Sequence, residues 1–237
     1  MNPDPAGLRA PRRAIRTVSA QHAFNWYRDA MRLWKRGPAR FSLIALVVLV
    51  ANFGLTLLPI IGIVLAQLIL PLVECGLLYA SLAADRGDRP LLRHLVAVAA
   101  APARAQVAVV AAALVVFLVE ALVANLVGGY NMLTPASNAD SISGVTLVVT
   151  YAAGIVASLP LTFVPFAALF DGESFQDAFA QSGAAFARNA RPLLVYGLLS
   201  FLLLMLGLAT SGIGLLLALP WSAAASYAAW KDIFGVA

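Results

Sequence analysis

Two carboxyl groups lie inside long apolar stretches, where a charged side chain is costly and often functional. Glu74 and Glu120 have no Lys or Arg within their own stretches to pair with. Gln67 lies seven residues before Glu74 and shares its helix face, and Pro71 removes a backbone donor between them. Glu74 is either a site for a proton or a cation, or a protonated carboxyl that bonds a neighbouring helix. The pattern favours the second interpretation.

Two amides extend this candidate intramembrane polar site. Asn52 and Asn125 also lie inside apolar stretches, where an amide is most simply explained as an interhelical hydrogen bonder that contributes about 0.6 to 2 kcal/mol. Glu120 is about eight residues from a polar connection and could reach water. The candidate set is therefore Asn52, Gln67, Glu74, Glu120 and Asn125.

Residue patterns for catalysis, cofactors and metals are missing from the sequence. It has no nucleophile elbow, no HExxH motif and no Gly-rich phosphate loop followed by Lys. His22 and His94 are far apart, and Cys75 is the single cysteine, so we expect neither a metal cluster nor an intrachain disulfide. We predict a protein that is not an enzyme and that has no catalytic, cofactor-binding or metal-binding residues.

Six apolar stretches predict an all-α, polytopic integral membrane protein. Each can cross most or all of a hydrocarbon core about 30 Å thick at 1.5 Å of rise per residue. The predicted spans are residues 41–58, 60–83, 105–127, 145–170, 192–209 and 213–230. With these spans, all 16 Lys and Arg residues fall on one side of the membrane, and the other connections carry only Asp140. Because Lys and Arg stay cytoplasmic during insertion, both termini are expected in the cytoplasm.

The composition agrees with a membrane protein. Apolar residues make up 62% of the chain and charged residues 11%, against about 25% charged residues in soluble proteins, which excludes a water-soluble fold. The net charge of +5 could suit a nucleic-acid binder, but the basic residues adjoin the span ends and form no basic domain. We therefore expect the lipid bilayer and anionic headgroups as partners, and no nucleic acid. A protein partner or a homo-oligomer also fits the sequence.

Short motifs recur at the starts and ends of the spans. Small-Pro-Ala-Arg occurs at residues 37–40 and 101–104, and residues 189–192 carry a permuted version. Each even-numbered span ends with an aromatic residue, two small residues, a bulky apolar residue and then an Asp, at Asp85, Asp171 and Asp232. We interpret the chain as three parallel repeats, about 20–85, 91–171 and 174–232, each an interfacial helix followed by a helical hairpin. Secondary transporters more often have inverted repeats.

An amphipathic helix is predicted before each odd-numbered span. In the first helix one face carries Ala23, Tyr27, Ala30, Met31 and Trp34, and the other carries Asn25, Arg28, Asp29, Arg32 and Arg36. This pattern is typical of a helix in the membrane interface, with candidate lipid-facing residues Arg28, Arg32, Trp34, Lys35 and Arg36. Ser174 followed by Asp177 predicts a capping-box-like start for the third helix. The middle copy, residues 91–101, is mostly apolar and is the weakest.

The domain organisation is simple. Residues 1–18, rich in Pro and Arg, predict a disordered basic cytoplasmic tail. Residues 19–237 form a single six-span transmembrane domain in this interpretation. Residues 23–34, 191–197 and 227–235 resemble an uncharacterised family of bacterial six-span inner-membrane proteins. More distantly, the layout is similar to the membrane region of glycerophosphodiester phosphodiesterases. The resemblance implies a multi-pass protein of the bacterial inner membrane and brings no catalytic residues with it.

Three functional hypotheses remain open from the sequence. The leading one is a non-enzymatic module that binds anionic lipid or a protein partner through its interfacial helices. The alternative is a small permease or channel with Glu74, Gln67 and Asn52 near its pathway. An assembly factor for a larger complex fits the same residues, and the sequence does not rank it against the first.

Overall fold

The computed structural model describes residues 13–58, 61–133 and 143–236, and within these ranges the chain is helical with no strand. The α-helices are α1 (His22–Lys35), α2 (Pro38–Thr56), α3 (Ile61–Asp85), α4 (Ala103–Gly128), α5 (Gly144–Ser158), α6 (Val164–Leu169), α7 (Phe175–Arg188), α8 (Ala190–Ala209) and α9 (Leu215–Phe234). Two 3-10 helices, Leu92–Ala100 and Leu159–Leu161, precede α4 and join α5 to α6. The predicted all-α class is confirmed.

Five helices are long and apolar enough to cross a membrane: α2, α3, α4, the run Gly144–Leu169 that contains α5 and α6, and α8. Their ends agree with the first five predicted spans to within three residues. Large aliphatic and aromatic side chains such as Phe53, Leu118 and Leu206 are exposed on their outer surfaces. An apolar surface of this extent is what a bilayer covers, so the structure is compatible with a membrane protein.

Helix α9 differs from the other long helices in composition and burial. It spans 20 residues and overlaps the sixth predicted stretch, but Ser, Trp, Lys and Asp replace many of the aliphatic residues, and it is not among the five apolar helices. More than half of its residues are buried, because α1, α2, α3 and α8 pack around it. It is therefore the central helix of the bundle. The sixth span remains a prediction.

The order of elements follows one pattern three times: a short helix and then two long ones. The groups are α1 with α2 and α3; the 3-10 helix Leu92–Ala100 with α4 and the α5–α6 run; and α7 with α8 and α9. The predicted start of the third short helix is confirmed, because Ser174 Oγ accepts a hydrogen bond from the Asp177 amide at 3.2 Å. The middle short helix, the weakest in sequence, is a 3-10 helix. That the three groups are repeats remains a prediction.

Helix α1 packs its apolar face on protein. Its buried residues are Ala23, Trp26, Tyr27, Ala30 and Leu33, and the face rests mainly on α9. The buried stripe includes Trp26 and Leu33, whereas Met31 and Trp34, predicted on the apolar face, are half-buried. The buried stripe is rotated relative to the predicted apolar face. Trp26 faces α9, because its Nε1 donates to Asp232 at 2.8 Å. The apolar side of α1 is thus covered by the bundle, and its basic side remains exposed.

The segment before α1 is bound to the bundle in its described part. Of the predicted disordered tail at 1–18, residues 1–12 lie outside the described residues, and residues 13–18 contact α7, α8 and α9. The Asn189 side chain accepts from the Val18 amide at 2.9 Å and donates to the Arg16 carbonyl at 2.9 Å. The Arg16 amide donates to the Ile233 carbonyl at 2.8 Å. These bonds join the backbone of residues 16–18 to the bundle, and the disordered cytoplasmic tail at residues 1–18 stays a prediction.

Candidate functional site

A cavity of about 360 Å³ lies at the centre of the bundle. Every long helix contributes to its wall, through residues that include Val48 of α2, Glu74 of α3, Val116 of α4, Ser158 of α5, Tyr196 of α8 and Ser222 of α9. Glu74 precedes Asp85 by eleven residues, which is about 16 Å of helix. We call this space the central cavity.

Each of the three helical runs that precede the Asp motifs carries a proline near the central cavity. Pro71 lies inside α3 and Pro220 inside α9, and both helices continue through their prolines. Within the described residues only the remaining run is broken, where the 3-10 helix Leu159–Leu161 separates α5 from α6. Pro71, Pro160 and Pro220 stand fourteen, eleven and twelve residues before Asp85, Asp171 and Asp232. A broken helix is a common feature of ligand sites in transporters.

Helix α7 stabilises the break between α5 and α6. The buried hydroxyl of Ser182 accepts from the Phe163 amide at 3.0 Å and donates to the Pro160 carbonyl at 2.7 Å. These are backbone groups that a continuous helix would have satisfied by itself. The irregular backbone is therefore built into the fold by a side chain from a neighbouring helix.

Among the described residues, Glu74 is the one carboxyl group that lines the central cavity. Its side chain is exposed and makes no hydrogen bond or ion pair with any residue that the structure describes. No Lys, Arg or His of the described ranges lines the cavity with it. The interhelical hydrogen bond required by one of the two interpretations of Glu74 is therefore not formed within these ranges, and both interpretations stay hypotheses.

Hydroxyl groups supply the other polar lining, and sequence reasoning missed them. Ser158, Thr162 and Ser226 donate to backbone carbonyls of their own helices at 2.8, 3.1 and 2.8 Å, and the Tyr196 hydroxyl donates to the Ser222 carbonyl at 3.4 Å. The hydrogens of these four groups are thus committed to the backbone. Their oxygens remain available as acceptors. The cavity therefore presents an apolar wall with several acceptors and one carboxyl.

The other predicted polar residues are not brought to this cavity. Asn52 on α2 and Asn125 on α4 are exposed, and Gln67 on α3 is half-buried without lining it. Glu120 lies against α5 at Gly154, where an added Cβ atom would meet the carboxyl oxygen Oε1 of Glu120. A larger residue at position 154 would therefore require the Glu120 side chain to move. Of the five candidates only Glu74 is placed in the site.

A second, polar cluster joins the ends of α1, α3 and α9. Asp85 accepts from Lys231 Nζ at 2.6 Å and from the Tyr227 hydroxyl at 3.0 Å. Asp232 accepts from Trp26 Nε1 at 2.8 Å and lies 2.7 Å from His22 Nδ1. A pocket of about 430 Å³ adjoins these groups. Its carboxylates already have partners, so the cluster holds helix ends together.

The third Asp of the repeated motif has a similar role. Asp171 forms an ion pair with Arg13, with 2.9 Å between Oδ1 and the guanidinium nitrogen Nη2, and the Arg13 guanidinium lies over the Trp230 ring at 5.4 Å. Burial raises the pKa of Asp171 above its ordinary value, and the Arg13 guanidinium opposes that shift. Each motif Asp therefore ties the end of one helix to a distant part of the chain. The repeated motif was the sequence signal for these contacts.

The basic residues of α1 divide into two groups. Arg28, Arg32 and Lys35 are exposed, although Arg32 also pairs with Asp29 at 2.8 Å. Arg36, which follows α1 and is also exposed, donates to the Ala84 carbonyl and, at 3.2 Å, to the Asp85 carbonyl at the end of α3. Trp34 is half-buried against the core. The exposed basic face of α1 thus consists of Arg28, Arg32 and Lys35.

Comparisons with models of known protein families, with curated proteins and with solved structures find no match to this chain. Its function is therefore argued from the geometry of the central cavity, the polar cluster and the basic face of α1.

Proposed function

We propose that the chain is a six-span protein of the bacterial inner membrane with both termini in the cytoplasm. The length of α9 supports this proposal, since 20 residues of helix extend about 30 Å. Residues 13–18 contact both Asn189 at the start of α8 and Ile233 near the end of α9, so these two ends lie on one face. The ion pair between Lys231 and Asp85 brings the end of α3 to the same face. The three parallel repeats, and the resemblance to six-span inner-membrane proteins, belong to the same proposal.

Within the membrane, we propose that the protein acts without catalysis and binds a lipid or lipid-derived amphiphile in the central cavity. The observation that carries this proposal is a cavity with a wall from all the long helices and with one unpaired carboxyl. Its volume lies within the usual range of about 300 to 1,000 Å³ for ligand pockets. An apolar wall with a few polar groups is also usual for such sites. The leading hypothesis from the sequence placed lipid binding at the interfacial helices, whereas this proposal places it in the interior of the bundle.

The test is native mass spectrometry of the full chain extracted in polymer-bounded discs. Ala113→Phe fills the cavity, whereas Val115→Phe adds the same ring to an exposed position two residues along α4. We expect wild type and Val115→Phe to retain a defined small amphiphile at fixed stoichiometry, and Ala113→Phe to lose it. Equal retention by all three proteins, or retention of bulk lipid alone, would contradict the proposal.

A permease or channel is the second candidate, and the break in the α5–α6 run favours it. The 3-10 helix Leu159–Leu161 lines the central cavity and gives a place at which its wall can move. If this candidate is right, proteoliposomes carrying wild type show a proton flux that Glu74→Gln reduces and Glu120→Gln does not. A flux no greater than that of protein-free liposomes rules it out.

We propose a separate role for the exposed basic face of α1 in contacts with anionic headgroups or with a protein partner. Each Lys or Arg near an anionic leaflet contributes about 1 kcal/mol of attraction. Replacing Arg28, Arg32 and Lys35 by Gln should therefore reduce the number of phosphatidylglycerol molecules retained in native mass spectra. An unchanged count would leave these residues without a lipid role. A second protein retained with the wild type, and lost from this variant, would favour the partner or assembly interpretation.

A further inference from the structure

We infer that the ligand of the central cavity carries an ammonium group on a small apolar body, with Glu74 as its counter-ion. This inference rests on the proposed cavity-binding function and adds the chemical class of the ligand. It follows from the balance of donors, acceptors and charges on the cavity wall.

The charge balance is the first step. In the proposed membrane placement Glu74 lies within the hydrocarbon core, where a carboxyl group must be neutralised by a proton or paired with a cation, because a charge without a partner is very costly there. Among the described residues the wall supplies no cation to Glu74, since it holds no Lys, Arg or His. Pro71, inside the continuous helix α3, lines the cavity about one helical turn before Glu74. A cationic ligand completes the pair that the protein leaves open.

The donor and acceptor balance points the same way. Four of the six hydroxyl groups on the wall, those of Ser158, Thr162, Tyr196 and Ser226, already donate to backbone carbonyls. The Cys75 thiol also donates, to the Pro71 carbonyl at 3.2 Å. These groups can only accept from a ligand. An ammonium group donates up to three hydrogen bonds and accepts none, so it matches these five acceptors and the Glu74 carboxyl group. A carboxylate or phosphate would find donors only in the other two wall hydroxyls, Ser200 and Ser222, and would lie beside Glu74.

The size and the remaining walls limit the ligand body. A volume of about 360 Å³ is at the low end for ligand pockets, so it suits a small amphiphile or one short chain rather than a whole phospholipid. The aromatic rings of Phe166 and Tyr196 line the cavity, and such rings attract a desolvated cation through their faces. Valine, leucine and alanine side chains cover most of the remaining surface. The central cavity therefore suits a ligand with an ammonium group, whereas the exposed basic face of α1 attracts anionic headgroups.

The test compares three probes with the same eight-carbon chain: octylamine, octanol and octanoate. Each is added to the full chain in lipid nanodiscs at neutral pH, and the thermal midpoint is read by tryptophan fluorescence across a concentration series. We expect octylamine to stabilise wild type with the highest apparent affinity. Glu74→Gln should weaken octylamine by about 10- to 100-fold, the loss expected for a charged hydrogen bond, with little effect on octanol.

Two matched variants keep the result interpretable. Glu74→Asp retains the charge and should retain the preference for octylamine. A loss of binding in Glu74→Gln can then be distinguished from misfolding caused by substitution at this position. Glu120→Gln removes a carboxyl that packs against Gly154 away from the cavity and should change nothing. General effects of an amine on the bilayer are common to all these proteins and cancel in the comparison.

The outcomes separate the two proposals. Equal stabilisation by the three probes, or an undiminished octylamine response in Glu74→Gln, overturns the ammonium inference; if Ala113→Phe still abolishes binding, the cavity remains the ligand site. Probe responses that Ala113→Phe leaves unchanged overturn the cavity proposal and the ammonium inference with it. A stabilisation by Na⁺ that depends on Glu74, without an octylamine effect, replaces the organic cation with an inorganic one.

Discussion

At the scale of single residues, the fold depends on side chains that satisfy backbone groups at irregular points. Ser182 is the clearest case, because its hydroxyl serves both the Phe163 amide and the Pro160 carbonyl at the break between α5 and α6. Asn189 serves residues 13–18 in the same manner. Ser182 belongs to no motif, and Asn189 begins the permuted motif at residues 189–192, which gave no indication of its partners. Their roles exist only once the three-dimensional partners are in place.

Removing the Ser182 hydroxyl should destabilise the protein. Ser182→Ala leaves the buried Phe163 amide without an acceptor, which costs about 1 to 3 kcal/mol. Ser81→Ala is the matched control: Ser81 is equally buried, but its hydroxyl only donates to the Leu77 carbonyl of its own helix at 2.8 Å. The thermal midpoint in detergent should fall more for Ser182→Ala than for Ser81→Ala. Similar midpoints for the two variants would show that the break does not need its cap.

At the scale of elements, apolar runs predicted the spans well and the short helices less well. A run of aliphatic residues sets where a membrane helix starts and ends, so the first five spans agree within three residues. The rotation of α1 was not predictable in the same way, because it depends on a bond between Trp26 and Asp232, 206 positions apart. The binding of residues 13–18 was missed for the same reason. Long-range polar contacts leave no periodicity in the sequence.

Residues 13–18 should be released by a single substitution. Asn189→Ala removes the donor and acceptor that hold the backbone of Arg16 and Val18, so this segment should open more often and be cut faster by trypsin at Arg13 and Arg16. We expect roughly a tenfold faster cleavage, corresponding to the loss of about 1.4 kcal/mol of local stability. Asn25→Ala, at an exposed position on α1, is the control. Identical cleavage rates would mean that the other contacts of the segment, with Ile233, Asp171 and Arg188, hold it without Asn189.

The 3-10 helix Leu92–Ala100 should make stability depend on pH. Burial and the neighbouring Arg93 lower the pKa of His94, and its Nδ1 accepts from the Leu91 amide at 3.1 Å. The folded chain therefore binds a proton less readily than the unfolded chain, in which His titrates at about 6.5. The stabilising contribution is present above that value and is lost as the pH falls through the lower folded pKa. Thermal midpoints measured from pH 7.5 to 5 should decline more steeply for wild type than for His94→Gln; parallel slopes would exclude His94.

At the scale of the whole molecule, one face gathers the contacts that close the bundle. The ends of α3 and α9, the start of α8 and residues 13–18 meet there through Asp85, Asp171, Asp232 and Asn189. The sequence indicated the three Asp residues as a repeated motif but not their partners, since composition does not say which helix faces meet. For the same reason the sequence indicated Glu74 as a candidate but did not indicate the helices that form the cavity wall around it. Local signals predicted the parts, and packing determined the site.

The position of this face relative to the membrane can be measured by cysteine labelling. In a Cys75→Ala background, single cysteines replace Asn25, Asp88, Leu133 and Val236, of which Val236 reports on α9. Six spans with cytoplasmic termini predict that a membrane-impermeant maleimide labels only Leu133→Cys in spheroplasts and labels the other three after lysis. Reaction of Val236→Cys in intact spheroplasts would place the end of α9 outside and leave five spans. That result would conflict with the ion pair between Lys231 and Asp85, because the pair places the ends of α3 and α9 on the same side. Asp88→Cys, three residues beyond Asp85, reports on the side at which α3 ends. Agreement of Val236→Cys with Asp88→Cys therefore tests the span count and the closing face in one experiment.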